Sequence, residues 1–470
     1  MTPPWPRIPA LCRCMPVSPL FEDGAGGKAR AAKLARELQK PEQGPSDENL
    51  RNSQKRTMMG RRLQSARVED GHIGTARTPR RRRRALPKVT NVDTISQEDF
   101  ASLSVFAKEE NISLLIPGPE APLVAGIVDH FAHNVPNVRC FGPNRAAARM
   151  EGSKTFAKDF MKRYNIPTAA YENFSSYEDA SKCLDSISHS VVIKASGLAA
   201  GKGVMIPTSK EEAHLALKEI MLDREFGAAG DEVVIEEFLE GEELSILSFT
   251  DGTTVQSLPP AQDHKRAGEG DTGPNTGGMG TYAPTDVVTG NMLEEIQETI
   301  LQPTVDGMRE SGFPMIGCLF TGLMLTKSGP KVLEYNVRFG DPETQSCLPL
   351  LKTDLAELVY ACANGRLGAY NLEVERKFAA TVVVAAGGYP GSYKKGVEMQ
   401  LDGVAADTVL FHAGTAIKDG KLTTTGGRVI ASTATADSLR EAVDRAYVGV
   451  SAIHFQGMQY RKDIAARALK

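Results

Sequence analysis

Long apolar runs are missing from this 470-residue chain. The longest, such as Ala379-Ala380-Thr381-Val382-Val383-Val384-Ala385-Ala386, are strand-sized and fall well short of the roughly 20 residues that cross a bilayer. Cysteine is scarce too. Of seven residues only Cys12 and Cys14 lie close together, and no second pair follows at metal-ligand spacing. That argues against a disulfide scaffold or a structural zinc site and suits a reducing compartment. The amino terminus, Met1-Thr2-Pro3-Pro4-Trp5-Pro6, lacks the apolar core of roughly 7–15 residues found in a secretory signal. No internal repeat is visible. A water-soluble, cytoplasmic protein with no membrane partner is expected.

The net charge of -3 conceals two unlike segments. Residues 1–87 carry 19 Lys and Arg against 8 Asp and Glu, and the remainder carries 36 against 50. The first segment is rich in Pro, Arg, Gly, Gln and Ser and offers little apolar surface against chain entropy. It is expected to be a basic, disordered segment, with at most a short helix over 28–38. Five arginines at 80–84 have the composition of a nuclear-import or nucleic-acid patch. A solvated tail is the simpler reading, so no nucleic-acid partner is expected.

From Lys88 onward strands and helices alternate, which indicates α/β construction. Residues 112–116 read as a strand ending in Pro117-Gly118-Pro119-Glu120, followed by a helix through His130. Residues 154–163 and 211–221 read as helices, and 191–195 and 232–238 as strands. After about residue 375 the pattern changes to short strands and turns, with one helix over 436–448. Three regions are expected, 88–148, 149–374 and 375–470, the last a small β-rich domain.

Four stretches carry chemistry. Lys194-Ala195-Ser196-Gly197-Leu198-Ala199-Ala200-Gly201-Lys202-Gly203 follows a strand with three glycines in seven residues, so its backbone is able to fold over phosphates. Lys194 and Lys202 add positive charge. The spacing is that of neither a Walker A loop nor a dinucleotide fingerprint. Val234-Ile235-Glu236-Glu237-Phe238-Leu239-Glu240-Gly241-Glu242-Glu243 is a strand with backbone groups beside apolar side chains, suited to adenine, with acids beyond it for ribose. In Leu333-Glu334-Tyr335-Asn336-Val337-Arg338-Phe339-Gly340-Asp341-Pro342-Glu343, alternation puts Glu334, Asn336 and Arg338 on one face and Leu333, Tyr335 and Val337 on the other. A carboxylate and an amide oxygen are hard ligands for Mg²⁺, and Arg338 is placed to neutralise a phosphoryl group. The fourth stretch joins Asp263-His264-Lys265-Arg266 to Gly273-Pro274-Asn275-Thr276-Gly277-Gly278-Met279-Gly280 and suits a second anionic group. His264 has no Ser or Cys partner in a nucleophile motif.

Together with Glu151-Gly152-Ser153-Lys154, His412-Ala413-Gly414-Thr415 and Tyr460-Arg461-Lys462-Asp463-Ile464, these stretches resemble phosphoribosylamine–glycine ligase (glycinamide ribonucleotide synthetase), of the ATP-grasp superfamily. The resemblance runs from about Lys88 to Lys470. It implies an ATP-grasp core of two α/β subdomains, a partial Rossmann-like amino-terminal domain and a β-rich carboxy-terminal domain. It also implies ATP-dependent joining of glycine to 5-phosphoribosylamine through a glycyl phosphate, in purine biosynthesis, with Mg²⁺ or Mn²⁺. By resemblance, Lys154, Lys194, Gly201, Lys202 and Gly203 hold the phosphates, Glu236, Glu237, Phe238 and Leu239 meet adenine, and Glu243 meets ribose. Glu334 and Asn336 hold the metal. Glu120, Asp263, Lys265, Asn275, Thr276, Gly277, Gly278, Arg338, Asp341 and Glu343 line the substrate side, with Arg338, Lys202 and Asp341 as the catalytic set.

The family's first strand and its Gly-Asn-Gly-Gly-Arg-Glu-His-like loop have no clear counterpart; Gly24-Ala25-Gly26-Gly27-Lys28-Ala29-Arg30 is only an echo. Two alternatives stay open: a remnant that binds nucleotide without turnover, and an ATP-grasp ligase for another carboxylate. Other purine-pathway enzymes are candidate partners, and no second enzyme is expected within the chain.

Overall fold

The computed structural model describes residues 20–22, 88–90, 92, 94–199 and 203–469. The expectations placed on Gly201, Lys202 and residues 24–30, 28–38 and 80–84 lie outside them. Within the segment before Lys88, strand Leu20–Glu22 pairs antiparallel with Lys88–Thr90.

Helix Phe100–Glu109 opens the amino-terminal part. It is capped by Asp99, whose carboxylate accepts the Ser102 N–H at 3.0 Å, an arrangement that satisfies an otherwise orphaned donor. The short strands Leu114–Leu115 and Arg139–Cys140 pair in parallel. The crossover between them is helical, as a parallel pair requires. It consists of two helices, Glu120–Ala125 and Ile127–Asn134, where the sequence suggested one. Gly126, at φ +92°, separates them in a conformation that glycine tolerates.

A four-stranded antiparallel sheet follows, in the order Tyr171–Phe174, Val233–Glu237, Val191–Ala195, Val204–Met205. Helices Tyr177–Ser186 and Lys210–Met221 share one core with it. In the second helix Ala213, Ala216, Leu217 and Ile220 are buried, the 3–4 spacing of a single apolar stripe. A second four-stranded sheet runs Val255–Ser257, Glu242–Asp251, Ile316–Thr326, Gly329–Asn336. The two sheets meet where Val332 N–H donates to Pro167 O at 2.8 Å and the Thr168 hydroxyl donates to Val332 O at 2.7 Å.

Strict alternation fails at one place on the last strand. Gly322 pairs with Glu334, but Leu323 pairs with Val332, so Leu333 is bulged out of the register. Leu333 is therefore only half-buried, and Val332, Tyr335 and Val337 form the apolar side. This corrects the expected apolar face and has a use. The Leu333 carbonyl accepts Lys194 Nζ at 3.1 Å.

The carboxy-terminal part is built on a six-stranded sheet centred on Phe378–Ala386 and Arg428–Ala436, covered by helix Leu439–Val450. Gly280–Ala283 pairs with Phe378–Ala386, and Gln262–Asp263 extends the same sheet. The strands flanking the 264–279 segment thus belong to a sheet shared with the carboxy-terminal part. Among the described residues no helix is long and apolar enough to cross a membrane.

Candidate active site

Helix Lys154–Arg163 starts against the glycine-rich loop. Ser153 caps it by accepting the Phe156 N–H at 3.2 Å, while the Lys154 N–H donates to Ser196 O at 2.8 Å and its Nζ to Gly197 O at 3.3 Å. The helix amino terminus adds partial positive charge there. Burial lowers the Lys154 pKa, with Lys194 adding to the fall and Glu334 opposing it. The loop returns tightly to its strand. Gly203 O accepts the Ala195 N–H at 2.8 Å, and a Cβ on Gly203 would stand 2.6 Å from Ala199 Cβ, so only glycine fits.

Lys194 points from its buried strand to Glu236, 3.0 Å away, and to the bulged Leu333 carbonyl. Glu236 is buried and also meets Lys158 at 3.0 Å. Glu237 accepts the Ala170 N–H at 3.0 Å and Lys331 Nζ at 2.9 Å. Those bonds hold its carboxyl below the usual range. The two acid side chains expected at adenine are thus engaged by lysines. Phe238 is exposed and Leu239 is buried at the strand's end.

Glu334 lies on the shared face between the sheets. Burial pushes its carboxyl up, but Lys265, Lys194, Lys154 and Arg338 together hold it below the ordinary range, so it stays ionised. Asn336 Oδ1 accepts from Arg338 Nη2 at 3.3 Å. Arg338 also meets Glu151 at 3.1 Å and Glu120 at 3.7 Å. Glu151 in turn accepts the Val337 N–H at 2.8 Å, and burial raises its pKa.

On the other side Lys265 Nζ lies 2.7 Å from Glu243 and 4.0 Å from Asp263. Burial opposes its charge, yet Asp263, Glu243 and Glu334 raise its pKa well above the lysine range. Sequence reasoning had assigned Glu243 and Lys265 to different ligands; the structure brings them together. Burial raises Asp263 to about 6, with Glu243 adding to the rise, and Glu343 to about 8, with Asp263 and Asp341 adding to it, while Lys265 opposes both. His264 is buried and accepts the Ala465 N–H at 3.2 Å; burial, with Arg467 and Arg461, lowers it to about 4. It is a structural acceptor.

The loop carrying Asn275, Thr276, Gly277 and Gly278 is anchored at both ends. Asn275 pairs with Arg266, and Thr276 donates from its N–H and its hydroxyl to Lys265 O at 2.7 and 2.8 Å. One residue that sequence reasoning missed here is Arg428. Its guanidinium donates to Gly277 O at 2.5 Å, to Asp341 O at 2.7 Å and to Asp341 Oδ2 at 3.0 Å. Asp341 Oδ1 also accepts from Gln345 Nε2 at 2.7 Å. Arg428 lies 87 and 151 residues from those partners, and no local pattern marks it.

The site therefore brings Lys154, Lys194, Lys265 and Arg338 around the ionised Glu334, the last three of them also paired with Glu236, Glu243 and Glu151. Models of phosphoribosylglycinamide synthetase match nearly the whole described chain: its N domain over residues 66–151, its ATP-grasp (A) domain over 152–344 and its C domain over 379–467. Phosphoribosylamine–glycine ligase of Brucella melitensis is 48% identical over 389 residues, 81% of this chain and 90% of its own length. A bifunctional purine biosynthetic protein of Schizosaccharomyces pombe is 58% identical over 403 residues, 86% of this chain and 50% of its own length. The chain spans about half the length, or less, of the first such curated relatives. A crystal structure of phosphoribosylamine–glycine ligase from Thermotoga maritima matches with a TM-score of 0.65 at 39% identity, covering 71% of this chain and 83% of that one. The core is an ATP-grasp fold between an N and a C domain, and the chain belongs to the phosphoribosylglycinamide synthetase family.

Proposed function

We propose that this chain is an ATP-dependent ligase joining the glycine carboxylate to 5-phosphoribosylamine through a glycyl phosphate, in the cytoplasm. The observation that carries the reading is Glu334, kept ionised at the meeting of two sheets by Lys154, Lys194, Lys265 and Arg338. Lys194, Lys265 and Arg338 each also meet another carboxylate, whereas Lys154 directs its Nζ to the Gly197 carbonyl of the glycine-rich loop, where its charge suits a polyphosphate. In this reading Lys154 and Lys194 receive the phosphates, the 200–203 loop with Gly201, Lys202 and Gly203 closes over them, and residues 236–239 flank adenine.

The donor set fits a divalent metal. Glu334 is ionised, Asn336 offers an amide oxygen in a single long hydrogen bond to Arg338, and both are hard oxygen donors that leave places for phosphate and water. Bound Mg²⁺ or Mn²⁺ would supply charge neutralisation to ATP. The protein's own part is alignment and electrostatics, as in other phosphoryl transfers. Arg338, oriented by Glu151 and Glu120, faces the phosphoryl group in transit. Arg428 locks Gly277 and Gly278 onto Asp341, which shapes the side where glycine and phosphoribosylamine meet. Loop closure excludes water that would hydrolyse an acyl phosphate.

The test is ADP release from ATP. It is expected to require both glycine and phosphoribosylamine; nucleotide binding without such release would contradict the proposal.

A further inference from the structure

Lys158 is a buried cation that the chemistry above leaves without a part. It projects from helix Lys154–Arg163 and is 2 % exposed. Its ammonium lies 3.0 Å from Glu236 Oε2, and the other oxygen of that carboxylate lies 3.0 Å from Lys194 Nζ. One buried carboxylate thus stands between two buried ammonium groups, and the trio carries a net charge of +1. Without Lys158 the trio becomes a neutral Lys194–Glu236 pair, which attracts a polyphosphate far less. Lys158 Nζ also donates to the Thr168 hydroxyl at 2.7 Å, which donates to Val332 O at 2.7 Å. Val332 lies on the strand of Glu334 and Asn336.

We propose that Lys158 is a positioning residue for the nucleotide: it balances Glu236 so that the Lys194 charge remains directed at the polyphosphate, and through Thr168 it joins the phosphate-binding sheet to the Glu334 strand. The inference rests on the nucleotide-binding reading above and deepens it. Several groups face Lys158: Glu236, Glu237, Lys194 and the Tyr171 ring from the sheet, and Thr168 from the segment leading into it. Asp159, next to it on the helix, accepts the Tyr171 hydroxyl. Burial draws the Lys158 ammonium down to about 8, Lys194 adds to the fall, and Glu236 and Glu237 oppose it. Deprotonation removes the balancing charge, so ATP affinity falls as pH rises through about 8.

The experiment measures ATP binding by calorimetry, and KM and kcat for ATP, in the full chain and in Lys158→Met, Lys158→Arg and the double variant Lys158→Met/Glu236→Gln. Lys158→Met is expected to weaken ATP binding about tenfold or more and to raise KM more than it lowers kcat. The double variant restores the net charge and is expected to recover most of the affinity, a rescue that a purely structural role does not give. Lys158→Arg is expected to bind like the parent at neutral pH and to lack the alkaline loss. Parental affinity in Lys158→Met, or a double variant no better than the single one, overturns the proposal. If Lys158→Met does not fold, an alkaline loss identical in the parent and Lys158→Arg overturns it. A parent chain that binds no ATP overturns the nucleotide reading itself, which separates the two failures.

Discussion

Glu334 shows how a single residue is defined by its surroundings. Its strand position and the neighbouring Asn336 were legible in sequence because both lie in one short motif. The four cations that keep it ionised come from three other stretches as well as its own, and of these Lys154, Lys194 and Lys265 also sit in recognisable motifs. Lys158 and Arg428 were not legible. Each is an isolated charge in an otherwise ordinary helix or strand, and only the fold brings its partner to it. Replacing Glu334 by Ala is expected to cut kcat about a hundredfold or more while leaving the melting temperature close to the parent's, as judged by steady-state rates and a thermal melt. Glu343 gives a pH signature. Its folded pKa is raised from 4.5 to about 8, so the folded chain holds a proton there that the unfolded chain has lost. Stability therefore falls as pH rises through that window. Glu343→Gln is expected to lessen the loss between about pH 5 and about pH 8, measured by urea unfolding at both values; an unchanged loss would contradict the assignment.

At the scale of elements, apolar period and glycine punctuation located helix Lys154–Arg163 and strand Val191–Ala195 at their observed bounds. They did not reveal the bulge at Leu333, because a bulge depends on the partner strand's register. Nor did they reveal the break at Gly126, where a lone glycine in a helical pattern reads as tolerated. The loop carrying Gly277 and Gly278 is shaped by close backbone approach. Gly278 has φ +107°, and a Cβ there would stand 2.5 Å from Pro342 Cδ. Gly278→Ala is accordingly expected to cost about 2 kcal/mol or more of stability and to displace the Asp341 turn. Equilibrium unfolding together with the KM for glycine checks this; a variant of parental stability and KM would show that the loop yields.

Across the whole molecule, the alternation of strands and helices and the β-rich end were readable from composition and period. The shared sheet was not. Gly280–Ala283 lies in the middle of the chain yet pairs with Phe378–Ala386, a long-range pairing that local pattern does not encode. The proposed boundary near residue 375 therefore marks a change in sequence texture, across which one sheet is continuous. A chain cut after residue 374 would leave Gly280–Ala283 as an open edge with buried Tyr282 uncovered, and such edges pair between molecules. That fragment is expected to elute as aggregates on size exclusion, whereas a monodisperse fragment would contradict the structural coupling.

The central claim is that the cation cluster around Glu334 brings the terminal phosphate of ATP to the carboxylate of glycine. Turnover with glycine carrying ¹⁸O in its carboxylate, followed by mass analysis of the released phosphate, tests it directly. Transfer of one ¹⁸O into phosphate is the predicted result, and phosphate free of label would contradict the account.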